Sequence, residues 1–429
     1  MKSAQAKPLY AYYGDDFTGS TDVLEALALH GVPSVLFTHA PEKQDLKAFA
    51  DCRAIGIAGE SRSRNPQWMT DNLPAVFACM KRLGAAVNHY KVCSTFDSAP
   101  HVGSIGRAME LGRKTFHAEF VPVVVGAPRL GRYVAFANLF AAADGAVYRI
   151  DRHPAMRFHP VTPMNEADLR VHLSLQTRLC MGLVDLASFQ ESRAEDRLKA
   201  ELAAGADGVV FDGIDDSMAD ETARLLWVRA RKQQLFAVGS SGLTHGLLHH
   251  WRTLGLIGEA REPEPPVATD RLLVLSGSCS PATEKQIRRS KLQGFAAWRL
   301  SGPAPWGPET REALEALAQG QSVVLYTALG PQANDGHYGE EFGAALGSRL
   351  RELLLLTGVR RVLIAGGDTA THAVKQLGLN ALTFAAPLVP GVPLCRSHAP
   401  GSPLDGLELV LKGGQMGPED FFRQVRDGS

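Results

Sequence analysis

Residues 8–31 read PLYAYYGDDFTGSTDVLEALALHG, and the architecture follows from how this stretch is punctuated. Pro8 to Tyr13 is a short apolar run of strand type. From Thr21 to Leu29 the apolar side chains Val23, Leu24, Leu27 and Ala28 share one helical face, and Gly31 supplies a stop. A strand that feeds a helix through a short polar loop is the first half of a βαβ unit, and the pattern recurs. Further strands are expected at Ser34 to Phe37, Ala54 to Ala58, Val121 to Val125 and Val209 to Phe211, then at Arg271 to Leu275, Gln321 to Tyr326, Arg361 to Ala365 and Leu407 to Leu411.

The rhythm breaks once, at GEAREPEPPVATD, residues 258–270, where three prolines and alternating charges replace the apolar pattern. A chain of 429 residues exceeds one ordinary hydrophobic core, so the break divides it into an N-terminal domain (1–258), a linker (259–270) and a C-terminal domain (271–429). The expected fold class is α/β, two domains, each a mainly parallel sheet flanked by helices. The cleft between them would be the natural site for a small molecule.

Composition removes several function classes. Lys plus Arg and Asp plus Glu both total 45, and no long basic run occurs, so nothing here is built to gather nucleic acid. No stretch of about 18 apolar residues exists to span a bilayer, and the first residues carry no signal-type apolar run. No membrane partner and a cytoplasmic location are therefore expected. The six cysteines are scattered without CxxC spacing, which writes neither a zinc site nor a disulfide framework.

Loops at strand ends carry the chemistry. In YYGDDFTGSTD, Asp15 and Asp16 follow a strand directly and a helix opens at Thr18 to Thr21, so two carboxylates stand beside a helix N-terminus that favours an anion. Helix capping by Asp15, Asp16 and Ser20 is the alternative use of the same residues. LSGSCSPATEKQI sets Ser276, Gly277, Ser278 and Ser280 before a helix at Pro281. LIAGGDTATHAV sets Gly366, Gly367, Asp368 and Thr369 between strand and helix, and LVLKGGQMGPEDFF sets Lys412, Gly413 and Gly414 at a strand end. Small residues let backbone N–H groups approach phosphate oxygens, and three such loops in one domain read as a nucleotide pocket. No GxxxxGK[ST] and no strand-following GxGxxG occur, so it belongs to neither the P-loop nor the dinucleotide class.

Upstream, Arg62 and Arg64 lie in IAGESRSRNP, while Lys91, Ser94, Thr95, Asp97 and Ser98 lie in HYKVCSTFDSAPHVGSIG. Fixed cations with hydroxyls suit a substrate that bears a carboxylate and several alcohols. Arg64 reads as a solvated loop charge. His153 and His159, in the proline-rich segment RIDRHPAMRFHPVTP, read as part of a covering or interface loop, and no metal site is assigned.

Six motifs together, DDFTGSTD (15–22), ESRS (60–63), KVCSTFDS (91–98), SGSCSPAT (276–283), AGGDTA (365–370) and the C-terminal LVLKGGQMGPEDFF, resemble the four-carbon acid sugar kinase family over nearly the whole chain. The resemblance implies a sugar-acid-binding N-terminal domain and an ATP-binding C-terminal domain. By motif, Asp16, Arg62, Lys91, Cys93, Ser94, Thr95 and Asp97 would hold the substrate, and Ser276, Ser278, Gly366, Gly367, Asp368, Thr369, Gly413 and Gly414 would hold ATP. Many relatives read KxDSTLRG, so Cys93 stands for an aspartate and Asp97 for an arginine. That departure is similar to the branch acting on 3-oxo acids, such as 3-oxo-tetronate kinases, rather than to threonate or erythronate kinases, and the stretches GAPRLGRYVAFANLF (126–140) and YRIDRHPAMRFHPVTP (148–163) resemble the subgroup of 3-oxo-isoapionate kinases.

The expected reaction is ATP-dependent phosphorylation of a hydroxyl, with Mg²⁺ on the phosphates and a carboxylate taking the hydroxyl proton. Asp15, Asp16 and Asp97 are candidates for that base. The assignment goes to Asp16, one residue nearer the helix N-terminus, with Asp15 ordering the loop or water around the metal. A non-catalytic sensor of sugar acid and nucleotide is the rival from another class. A homo-oligomer is left open.

Overall fold

The computed structural model describes residues 7–143, 145–159, 161–260, 262–300, 307–330 and 340–429. Arg261 of the expected linker and Pro160 of the histidine-bearing segment lie outside the described residues. In chain order the first strands are β1 (Tyr10–Gly14), β2 (Ser34–Phe37), β3 (Ala54–Ala58), β4 (Val87–Lys91), β5 (Val121–Val124), β6 (Arg132–Ala135), β7 (Asn138–Ala143), β8 (Ala146–Arg149) and β9 (Met181–Val184). They continue as β10 (Gly208–Phe211), β11 (Leu235–Gly239), β12 (Leu273–Ser276), β13 (Ala296–Arg299), β14 (Val323–Tyr326), β15 (Arg361–Ala365), β16 (Ala381–Val389), β17 (Val392–His398) and β18 (Glu408–Lys412).

By contacts the chain forms two compact units that are not sequential. The first comprises Met1–Asp15, His30–Pro33 and Ala40–Ala260; the second comprises Asp16–Leu29, Ser34–His39 and Arg261–Ser429. The helix Phe17–Leu29 and strand β2 therefore count with the C-terminal residues.

In the first unit the main sheet runs β3-β1-β4-β11-β5-β10-β9, with every pairing parallel. Strands β1, β3, β4 and β11 are buried along their whole length, as strands covered on both faces must be; β1, β3 and β11 are nearly continuous apolar runs, whereas β4 buries Asn88, His89 and Lys91. Beneath the loops at the C-terminal strand ends, Tyr13 stacks on Tyr90 at 5.7 Å and Phe77 packs edge-on to both. This aromatic floor fixes the strand ends from which the candidate site residues emerge.

A mainly parallel sheet was expected, and the first unit adds a small antiparallel one, β6-β7-β8. Its β6–β7 turn is Phe136–Ala137, both left-handed at φ 50° and 64°. Such turns ordinarily call for Asn-Gly, so Phe-Ala carries no hairpin signal. The strain is held from outside the hairpin: the Asp212 carboxylate accepts the N–H groups of Phe136 (2.5 Å), Ala137 (2.9 Å) and Leu186 (2.8 Å).

The second unit's sheet runs β13-β14-β12-β15-β18-β17-β16-β2. Its first five strands are parallel, and β17, β16 and β2 join antiparallel, so it is mixed rather than purely parallel. Its core gathers Leu272, Val274, Ile287, Leu363, Val410, Phe421 and Phe422. Among the described residues no helix is long and apolar enough to cross a membrane.

Candidate active site

In the first unit three strand ends bring the expected substrate residues together. Asp15 follows β1, and its N–H donates to the Lys91 carbonyl at the end of β4 (2.9 Å). Arg62 sits in the tight turn Ser61–Ser63 after β3, where its own N–H donates to the Asp15 carbonyl (3.1 Å). Its guanidinium grips the buried Asp15 carboxylate with two bonds, Nε to Oδ2 at 3.1 Å and Nη2 to Oδ1 at 2.6 Å. The fork expected to meet a substrate carboxylate thus already holds a protein carboxylate. Ser61 Oγ and Tyr90 Oη lie 2.8 Å apart and tie the turn to the aromatic floor.

After β4 the chain turns through Cys93 and Ser94, and Phe96 adopts a left-handed φ of 57°. Cys93 Sγ lies 2.9 Å from Thr95 Oγ1, and the Thr95 hydroxyl donates to Asp97 Oδ1. Burial alone would raise the Asp97 carboxyl, but the Arg62 charge, the Thr95 hydroxyl and nearby His159 outweigh it and hold it below its usual range. Burial, and after it Asp97, pushes the Cys93 thiol up, so it remains a neutral thiol. Ser94 is half-buried on the turn. Ser98 is instead locked inside, 2.9 Å from His172 Nε2 and accepting from Gln176 Nε2 at 2.9 Å. Arg64 is no solvated charge: it pairs with Glu60 at 2.7 Å and lies over the Trp68 ring.

The second unit assembles the phosphate-type loops at the C-terminal ends of three neighbouring strands, β12, β15 and β18. Their backbones interlock: Gly277 N–H donates to the Ala365 carbonyl (3.0 Å) and Gly366 N–H to the Lys412 carbonyl (2.9 Å). A Cβ on Gly277 would lie 2.0 Å from Thr369 Oγ1, one on Gly414 would lie 2.7 Å from Ser278 Oγ, and Gly366 has φ 113°, so glycine is needed where these loops meet. Ser280 caps the helix Pro281–Leu292, and Gly366 precedes the helix Gly367–Leu377, whose first turn carries the exposed Asp368. Two helix N-termini therefore open at this edge. The Ser276 hydroxyl is buried with no hydrogen-bond partner among the described residues.

Asp16 belongs to this unit, and a Cβ placed on Gly367 would lie 3.3 Å from its Oδ2. Its carboxylate accepts from Thr18 Oγ1 (2.6 Å) and from the Gly19 N–H (2.7 Å), the geometry of a helix cap. Each carboxylate oxygen has a second lone pair, so capping does not exhaust it.

Two residues named in the sequence without an assigned role in the site contribute to it. Lys412 is completely buried, and its Nζ donates to Thr283 Oγ1 (2.9 Å), the Gly413 carbonyl (3.0 Å) and the Gly414 carbonyl (3.2 Å). Burial pushes its ammonium down to about 7. A lysine directly before a glycine pair at the end of a buried strand was the available signal. His159 was read only as part of a covering loop, yet it lies near enough to Asp97 to favour its charge. A separate cavity of about 210 Å³ in the first unit, lined by His30, Arg129, His245, His249 and Arg252 among others, includes none of the expected site residues.

Comparison with known proteins decides what these loops belong to. A family model described as a sugar-binding N-terminal domain matches residues 10–247, and one described as a nucleotide-binding C-terminal domain matches residues 273–422. The chain belongs to the four-carbon acid sugar kinase family. As a member it is a sugar-acid kinase, a phosphotransferase. It is 43% identical to a 3-oxo-isoapionate kinase of Paraburkholderia graminis, over 98% of this chain and 94% of that protein. A 3-oxo-tetronate kinase of Pseudomonas fluorescens is 30% identical over 99% of this chain and 98% of its own. A solved Haemophilus influenzae structure of the family, formerly a domain of unknown function, shares the fold with a TM-score of 0.70 and 23% identity, covering 97% of this chain and 98% of that one.

Proposed function

We propose that this protein is an ATP-dependent kinase that phosphorylates a hydroxyl of a 3-oxo four-carbon-type sugar acid, either 3-oxo-tetronate or the branched 3-oxo-isoapionate. The observation that carries the reading is the convergence of three glycine-bearing loops at the ends of β12, β15 and β18, with the Asp16 carboxylate beside Gly367. Backbone N–H groups at two helix N-termini are a phosphate cradle, and a carboxylate at its rim is what a hydroxyl acceptor needs.

In this reading the first unit binds the sugar acid, and the second, which takes in Asp16–Leu29 and Ser34–His39 as well as the C-terminal residues, binds ATP. Ser276, Ser278, Gly366, Gly367, Asp368, Thr369, Gly413 and Gly414 hold the nucleotide. Lys412 draws the Gly413 and Gly414 carbonyls inward, and because a trans peptide points its C=O and N–H oppositely, the next N–H groups turn outward to meet phosphate. Lys91, Cys93, Ser94, Thr95 and Asp97 shape the acid's seat, and Arg62 locks Asp15 in place. Asp16 accepts the hydroxyl proton. Mg²⁺ would neutralise phosphate charge, carried mostly by the phosphates and water.

The test is coupled ADP release over 3-oxo-isoapionate, 3-oxo-tetronate, threonate and erythronate. Preference for either 3-oxo acid is expected. Preference for threonate would move the protein to the other branch, and tight binding of acid and ATP without ADP release would make it a sensor.

A further inference from the structure

Arg132 opens β6, and its backbone bridges Ala127 just beyond the end of β5. It is therefore carried at the C-terminal edge of the parallel sheet, the edge that also bears Asp15, Arg62 and the turn from Cys93 to Asp97. Register fixes the way it faces: Arg132 pairs with Ala141, which is fully buried, so it lies on the inner face of the three-stranded sheet. Burial pushes its guanidinium down, and the Cys93 thiol and Tyr133 are the side chains near enough to act against that.

Its bonding is incomplete. Nη1 donates to the carbonyls of Leu130 (2.8 Å), Gly131 (3.2 Å) and Ala142 (3.4 Å), while Nε is buried with no hydrogen-bond partner among the described residues. Among the described residues no carboxylate pairs with it. Other arginines of the first unit differ: Arg62 is held by Asp15, Arg64 by Glu60, Arg149 by Asp151 and Arg170 by Asp168. A partly buried cation without a counter-ion is costly unless something anionic arrives. The turn beside it adds a further requirement, since Asp97 would repel an anionic substrate and Arg62 is already engaged.

We propose that Arg132 receives the carboxylate of the sugar acid and sets the enzyme's preference for acids over neutral ketoses. This rests on the kinase reading above. The bland alternative is that Arg132 only braces the turn at Leu130 and Gly131 through Nη1.

The two are separated by a matched pair of substrates. One is the 3-oxo acid that the wild-type enzyme phosphorylates; the other is its analogue with –CH₂OH in place of –COO⁻, which for 3-oxo-tetronate is erythrulose. Relative kcat/KM is measured for wild type, Arg132→Met and Arg132→Lys, with Ki against the acid replacing it where turnover of the analogue is too slow. Arg132→Met should lower the acid-to-analogue ratio by roughly 30-fold or more, the scale for truncating one member of a buried charge pair. KM for ATP should stay within about twofold, and Arg132→Lys should recover part of the ratio. An unchanged ratio, whether both substrates lose equally or neither does, overturns the assignment. Should the methionine variant fail to fold, the lysine variant and the same ratio decide. A wild-type enzyme that phosphorylates no sugar acid sinks the kinase reading itself, and this assignment with it.

Discussion

Replacing Lys412 with methionine tests how the phosphate loops are held. The ammonium has three N–H groups and three oxygen partners, two of them carbonyls of the glycine pair. Hydrogen bonds from a charged donor contribute about 1.5–3 kcal/mol, so loss of the equivalent of one from the loop should weaken ATP binding roughly 10- to 150-fold. KM for the sugar acid should hardly move. A second signature comes from pH. With the ammonium at about 7, half of the free enzyme is protonated at pH 7, and about a tenth at pH 8. If only the protonated form holds the loop, KM for ATP in wild type should rise about fivefold from pH 7 to 8 and about tenfold more by pH 9, whereas Lys412→Met stays flat. Stability should move the other way. A lysine whose folded value lies below its ordinary 10.5 leaves the unfolded chain binding more protons between about pH 7 and 10.5, so stability rises with pH across that window. The assay is KM for ATP at saturating acid from pH 6 to 9, with melting curves alongside. A flat wild-type profile, or a methionine variant with wild-type ATP affinity, refutes the positioning role.

Three further outcomes are expected. Asp16→Asn should lower kcat roughly 10²- to 10⁴-fold with ATP affinity and melting temperature kept; near-normal turnover would leave Asp16 as a helix cap alone. Arg62→Met strands the buried Asp15 carboxylate, which in a fully buried pair costs about 3–5 kcal/mol, and less here because the Arg62 side chain is 24% exposed. Denaturant melts of the single variants and of Asp15→Asn/Arg62→Met should show the double change costing less than the sum, and strict additivity would deny the coupling. Glu25, whose Oε2 accepts the Gly391 N–H at 2.6 Å, is pushed up to about 7 by burial against that bond. Its folded value lies above the unfolded 4.5, so its contribution is full below about pH 4.5 and lost as pH rises to about 7; Glu25→Gln should therefore gain up to about 3 kcal/mol over wild type at pH 8 and little at pH 4.5. Equal pH dependence of the two proteins in urea titrations would remove this account.

Many of the strands were legible because buried strands leave continuous apolar runs, and β4, with Asn88, His89 and Lys91, was not. Ser34–Phe37, Ala54–Ala58 and Arg361–Ala365 coincide with the expected ranges residue for residue. The three glycine-bearing loops were legible as loops for a related reason, since small residues directly after such strands mark a turn. What stayed hidden depends on distant partners. The Phe136–Ala137 turn exists because Asp212, some 75 positions along the chain, accepts its N–H groups. Arg62 looked like a substrate ligand because sequence shows a cation in a loop, not the Asp15 carboxylate 47 residues away that it grips. Asp15 and Asp16 read as one acidic pair, yet the boundary between the two compact units falls on the peptide joining them.

That boundary is one of five places where the chain changes unit, after Asp15, Leu29, Pro33, His39 and Ala260. A protease nick in the proline-bearing segment near residue 264 would therefore cut the chain in two yet leave the pieces associated, because residues 16–29 and 34–39 would still pack non-covalently against the C-terminal fragment. A gene fragment starting at residue 271 would lack β2, which pairs Leu36 and Phe37 with β16, and would also lack the Phe17–Leu29 helix that buries Val23, Leu24 and Leu27. Such a fragment would expose an open strand edge and an uncovered apolar surface, and would be prone to aggregate. Any chimaera that exchanges the nucleotide half between relatives must take residues 16–29 and 34–39 with it, so this part of the molecule is inherited in three instalments rather than as a detachable module.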